Sequence, residues 1–173
     1  GTVVRTAQRK INSPLAMFSD VSSTAAEREL FRNLRKSVPV IDAAICKLIR
    51  LLGTFTVTAK NSRCQQIIDD FMSNVCTNGT GTGINGFVYS YMESLLTYGE
   101  AVGEMVLSRD GKRVVALYNA SVDDVEIQEG SSPLDLVICS KNDGMTTPVK
   151  YSNLVFATLL NPEPGTVRGS SLL

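Results

Sequence analysis

The chain has 173 residues, is 43% apolar and 20% charged, and so has the balance of one folded domain with a real core rather than that of a disordered chain. Its seventeen basic and seventeen acidic side chains cancel, which disfavours a wholesale nucleic-acid binder. Histidine is absent, which excludes Ser-His-Asp and Cys-His catalysis and every histidine metal site.

The neutral total hides an asymmetry. Residues 1–50 carry nine basic and four acidic side chains, residues 51–100 two and four, and residues 101–173 six and nine. A basic first third beside an acidic remainder suits self-association or a partner surface, within a screened reach of about 8–10 Å.

Residues 1–22 show no hydrophobic period and contain Pro14 with several Ser and Thr, which reads as an N-terminal arm. A helix is expected from Ser22 or Ser23, where Thr24 and Glu27 form a capping box. Leu30, Phe31, Leu34 and Val38 make its apolar stripe. Arg28, Arg32, Arg35 and Lys36 make a basic face at helical spacing, either solvated or a candidate subunit-contact surface. Pro39 suits the first position of a second helix, with Ile41, Ala44, Ile45, Leu48 and Leu52 at helical steps and Gly53 as a left-handed stop. Phe55 to Ala59 alternates like a short strand.

A third helix is predicted from Asn61 or Ser62, carrying Cys64, Ile67, Ile68, Phe71, Met72 and Val75 on one side. Thr77 to Gly83 reads as a flexible polar loop. A fourth helix follows, with Ile84, Phe87, Val88, Tyr91, Met92, Leu95 and Leu96 in period and Gly99 ending it. The period then changes from 3.6 to 2. Ala101–Leu107 and Arg113–Tyr118 read as a hairpin around Asp110-Gly111. Val125–Gln128, Leu134–Ser140 and Val149–Leu159 supply further strands, with turns at Gly130–Pro133 and Asn142–Gly144. Helices first and strands later make an α+β domain, with N-terminal amphipathic helices and a mostly antiparallel sheet.

One motif looks like chemistry. Gly81-x-Gly83-x-x-Gly86 matches the dinucleotide fingerprint, which works only where a buried strand enters the glycines. Here an amphipathic helix enters them, so a nucleotide-dependent enzyme using the Gly79–Gly86 loop is the lesser alternative. Asp69-Asp70 points two ways on a helix, and Asp123-Asp124 falls in a turn. The cysteines at 46, 64, 76 and 139 have no short paired spacing, and three of the four fall on predicted apolar faces, so they read as buried free thiols. No catalytic, cofactor or metal residues are therefore expected, nor an enzyme. No secretory signal opens the chain and no apolar run is long enough to span a membrane, so an intracellular, reducing setting is expected.

The stretch Tyr98-Gly99-Glu100 through Leu117-Tyr118, with its Asp110-Gly111 turn, is similar to one in tailed-bacteriophage portal proteins. Leu117-Tyr118 followed by Val125, then Tyr151–Phe156, Asn161-Pro162-Glu163-Pro164 and Gly169-Ser170-Ser171-Leu172 (a helix start in that family), resemble later passages in order and spacing. The likeness covers about residues 25–173. It implies a wing domain over residues 23–173, truncated before the stem, clip and crown, and a structural subunit of a ring, usually of twelve, at one capsid vertex of the virion; another phage head–tail adaptor with a similar hairpin is the alternative. DNA would pass through the channel of the full ring without sequence specificity. Terminase, capsid and head-completion proteins would be its partners, and assembly would take place in the host cytoplasm.

Overall fold

The computed structural model describes residues 16–131, 135–142, 145–164 and 166–173, and side chains from residue 25 onward. Four helices come first: α1 (Ala16–Ser37), α2 (Pro39–Leu51), α3 (Ser62–Asn74) and α4 (Ile84–Tyr98). Six strands follow: β1 (Glu100–Leu107), β2 (Val114–Ala120), β3 (Val125–Glu129), β4 (Leu136–Asn142), β5 (Met145–Pro148) and β6 (Val155–Leu159). They form two antiparallel sheets of three strands, ordered β2-β1-β6 and β3-β4-β5. The α+β expectation holds.

Local signals act where expected. Pro39 opens α2, and its missing N–H costs nothing there. Gly53 takes φ +70° just past the end of α2. Asn61 caps α3, its side-chain oxygen accepting from the Cys64 N–H at 2.7 Å. Gly99 ends α4 at φ +78°, its N–H donating to the Leu95 carbonyl.

Five expectations are corrected. Helix α1 is already formed at Ala16, so Thr24 lies inside it and cannot cap it. Ser and Thr cost only tenths of a kcal/mol each inside a helix, so a formed helix runs through them where no Gly or Pro stands. The arm assigned to residues 1–22 otherwise lies outside the described residues. Phe55 to Ala59 forms no strand; the side chain of Gln65 holds it instead, accepting from the Ala59 N–H at 2.7 Å and donating to the Val57 carbonyl at 3.0 Å. The stretch Val149–Leu159 is not one strand: β5 precedes it, and a 3₁₀ turn at Ser152–Leu154 leads into β6. Gly169 to Leu172 starts no helix and lies as irregular chain over the end of α4. The loop at 77–83 is tied rather than free, as described below.

The core sits between α4 and the first sheet. Val75, Phe87 and Leu117 are buried, and Phe71, Ile84, Val88, Tyr91, Met105, Val114 and Phe156 pack around them. Phe87, Tyr91 and Phe156 form a ring trio with centroids 5.6–6.0 Å apart. Phe156 lies across from Gly103 in the β1–β6 register, and a Cβ on Gly103 would stand 2.4 Å from that ring. The Tyr91 hydroxyl donates to the Ala101 carbonyl at 3.2 Å and shares a 2.8 Å hydrogen bond with Thr158. Burial pushes the Tyr91 phenol above its ordinary value, and the Thr158 bond pulls only partly back. The folded state thus holds the phenol proton more tightly than the unfolded chain. That contribution is complete below about pH 10 and is lost as pH rises through the folded pKa. Denaturant midpoints of wild type and Tyr91→Phe at pH 9 and pH 11 are the check: wild type should lose more stability than the variant over this interval.

Candidate functional site

The basic face of α1 is where sequence and structure meet most directly. Arg28, Arg32 and Arg35 stand at i, i+4 and i+7, one stripe of the helix. The stripe is turned inward. Arg28 is buried while Leu30, assigned to the apolar stripe, is 55% exposed. The acidic partners waiting on the folded surface decide the orientation.

Each arginine holds a different element. Arg28 is hydrogen-bonded to Glu100 at the start of β1, with side chains 9% and 14% exposed, and lies 3.9 Å from Asp123. Arg32 donates to Asp123 at 2.6 Å, in the turn between β2 and β3, and to Glu29 at 3.2 Å. Arg35 reaches Asp42 on α2 through Nε at 2.9 Å, Glu93 on α4 at 2.7 Å and the buried Thr97 hydroxyl at 3.1 Å. Burial works against the Arg35 charge, but the bonds to Asp42 and Glu93 outweigh it and hold its pKa above the ordinary arginine value. Farther along, Arg168 pairs with Glu27 and ties the chain after β6 to α1. Only Lys36 of the four predicted basic residues is exposed and outside any ion pair among the described residues.

Two open clefts flank the Arg32–Arg35 pair. One, of about 510 Å³, is lined by these two with Lys36, Pro39, Asp42, Ala43 and Tyr98. The other, of about 500 Å³, runs past Glu93, Tyr98 and Asn119 to Asp123. The charges lining both are largely paired already, so the arrangement locks helices to sheet more than it offers a ligand site. Sequence reading located the arginines and placed Asp123 in a turn, but did not pair the arginines with Asp42, Glu93, Glu100 or Asp123. The one available signal was an arginine repeat with the same helical step as a core stripe.

The glycine-rich loop is a closed structure. It is entered by α3 and left by α4, with Gly83 just before the helix at φ +90°. Four of its amides are already used. The Thr77 N–H donates to the Gly81 carbonyl and that of Gly83 to the Val75 carbonyl, while Asn78 accepts from the Thr80 and Gly81 N–H groups. A phosphate would have to displace these bonds to be cradled there. Among the described residues no three His, Cys, Asp or Glu side chains gather to hold a metal, and no helix is long and apolar enough to cross a membrane.

The thiols lie apart in environment. Cys139 is buried as expected, but Cys64 and Cys76 are exposed, against the expectation of burial, and Cys46 is half-buried. Burial, with Glu126 nearby, pushes the Cys139 thiol above its ordinary value. An aromatic disulfide reagent should therefore modify Cys64 and Cys76 rapidly in the native protein and Cys139 only on unfolding. Mass spectrometry after a timed pulse checks this, and fast native labelling of Cys139 would contradict the burial.

No family model and no curated protein matches this chain. Among solved structures it is similar to a chain described as the neck of an empty GTA particle computed with C6 symmetry. The TM-score is 0.61 at 12% identity, over 82% of this chain and 38% of that one. This chain thus spans less than two-fifths of that neighbour's length, and what the two share is the fold.

Proposed function

We propose that this chain is a structural subunit of the head–tail region of a phage or phage-like particle, and specifically the wing portion of a portal ring. The observation that carries the reading is the fold likeness to a chain of a symmetric particle neck over 82% of the present sequence. A separate line supports it. The residues with portal-like sequence form the end of α4, the Gly99 stop, the β1–β2 hairpin and, later in the chain, β6 returning beside β1.

On this reading the ring conducts DNA during packaging and ejection, and terminase and head-completion proteins dock on the complete subunit. DNA contact requires a channel surface that this net-neutral chain does not itself supply. Self-association is the primary property. Light scattering and negative-stain microscopy of the full-length gene product, at low and moderate salt, test it. A closed ring of fixed subunit number is expected. A product that stays monomeric across those conditions overturns the reading.

A further inference from the structure

The α1 arginines are spent inside the chain, and the exposed cations next in sequence stand on α2 and the segment after it. Between residues 36 and 63 stand five cations against one carboxylate, Asp42, which is bound to Arg35. Lys47, Arg50, Lys60 and Arg63 are exposed and in no ion pair among the described residues.

The same segment carries unsatisfied apolar surface. Ile45 and Ile49 take the buried side of α2, which leaves Leu48 and Leu51 outward at 44% and 72% exposure. Leu52, Phe55 and Val57 continue the exposed run, and residues 54–58 belong to no helix or strand. A solvated surface segment has no need of five large apolar residues within ten positions; a contact core rimmed by cations has.

The second sheet has the opposite character. Residues 124–142 hold four carboxylates, Asp124, Glu126, Glu129 and Asp135, against one lysine, Lys141, which lies 3.7 Å from Glu126. Strand β3 is the outer strand of its sheet, and Leu136 beside it is 43% exposed. One chain therefore carries a basic apolar segment and an acidic sheet edge as two separate surfaces. A contact between unlike surfaces of identical copies is head-to-tail, and closes into a ring when its rotation permits.

We infer that the segment 47–63 of one copy docks on the acidic β3–β4 face of the next, and that this is the lateral contact of the assembled particle. The inference rests on the ring reading above and adds its surfaces. Leu51 and Phe55 supply the buried centre, Arg50 and Arg63 face Glu129 and Asp135, and the backbone at 54–58, which belongs to no strand of its own, can add to the free side of β3.

The test uses the full-length product and three variants: Arg50→Glu/Arg63→Glu, Glu129→Lys/Asp135→Lys, and the two combined. All four sites are exposed, so the monomer fold should hold, as circular dichroism and melting will verify. Each charge reversal alone should lower the ring fraction roughly tenfold at low salt, and the combination should restore most of it. Leu51→Asp should abolish rings whatever the charges. Rings forming as in wild type in both reversals overturn this inference and leave the ring reading intact. So do reversals at Arg50 and Arg63 that spare the ring but remove binding to duplex DNA or to anionic vesicles, which would give the basic rim another partner. A wild-type product that forms no ring overturns both.

Discussion

Gly169→Ala should lower stability by roughly 3 kcal/mol, among the largest effects of any single methyl group added to this chain. The reason is a close crossing of two backbone segments. A Cβ on Gly169 would lie 1.8 Å from the Gly99 carbonyl oxygen and 2.8 Å from the Leu160 nitrogen. Neither neighbour is the flexible end of a side chain. The Leu160 N–H donates to that same Gly99 carbonyl at 2.8 Å, and the Ser170 N–H donates to the Leu160 carbonyl at 2.7 Å. Ser171 adds a 2.6 Å bond to the Thr97 carbonyl. The methyl group must therefore push the seam open and release bonds that close the C-terminal end of α4. For a chain of this size the melting temperature should fall by about 10 °C. Gly99→Ala should be at least as harmful, since a methyl there meets Gly169 and Ser170 at 2.7 Å and the residue also holds φ +78°. Calorimetry of both variants, with Gly79→Ala as control, decides the matter. Gly79 has open space around its Cβ position and should change little. A melting temperature within about 2 °C of wild type for Gly169→Ala would mean that the seam does not exist in solution.

The second large effect concerns Arg28 and Glu100. Both side chains are nearly out of solvent, and removing one leaves the other charged and buried. Arg28→Met should cost about 3–5 kcal/mol by denaturant unfolding, because the Glu100 carboxylate loses its main counter-ion. Asp123 softens the loss little, since it is already held by Arg32 at 2.6 Å. The double variant Arg28→Met/Glu100→Leu should recover most of the stability, because well-packed apolar groups replace such a pair at small cost. A purely additive double variant would show that the two residues are not coupled.

How much of this was legible in the sequence follows from distance along the chain. Pro39, Asn61, Gly99 and Asp110-Gly111 act within a few residues, so their local chemistry sufficed to place helix ends and the first hairpin. The stretch Phe55 to Ala59 has a strand's alternation, but pairing needs a neighbour, and the fold supplied only the Gln65 side chain. Strand β6 begins later than alternation suggested because a 3₁₀ turn precedes it. At the arginine row the face was legible and its destination was not. Arg28 finds its partner 72 positions away and Arg32 finds Asp123 at 91. No helical period encodes such separations, so a buried arginine and a solvated one look alike in the sequence. The glycine loop shows the converse. Its letters matched a phosphate cradle, while the preceding helix and its internally bonded amides gave it another structure.

The seam over Gly99 also bears on how the chain is born. Helix α4 and β1 leave the ribosome about 60 residues before β6 and the segment that crosses them, an interval of roughly 3–12 s at ordinary rates of synthesis. Through that interval Ala101, Val102 and the Gly99 carbonyl wait without the cover they have in the native state, in which both side chains are almost fully buried. The nascent chain thus presents an open strand edge beside apolar surface, the arrangement from which aggregation starts. A pause in translation before β6 would lengthen this exposure, and a chaperone bound to α4 and β1 would act where the chain is most vulnerable.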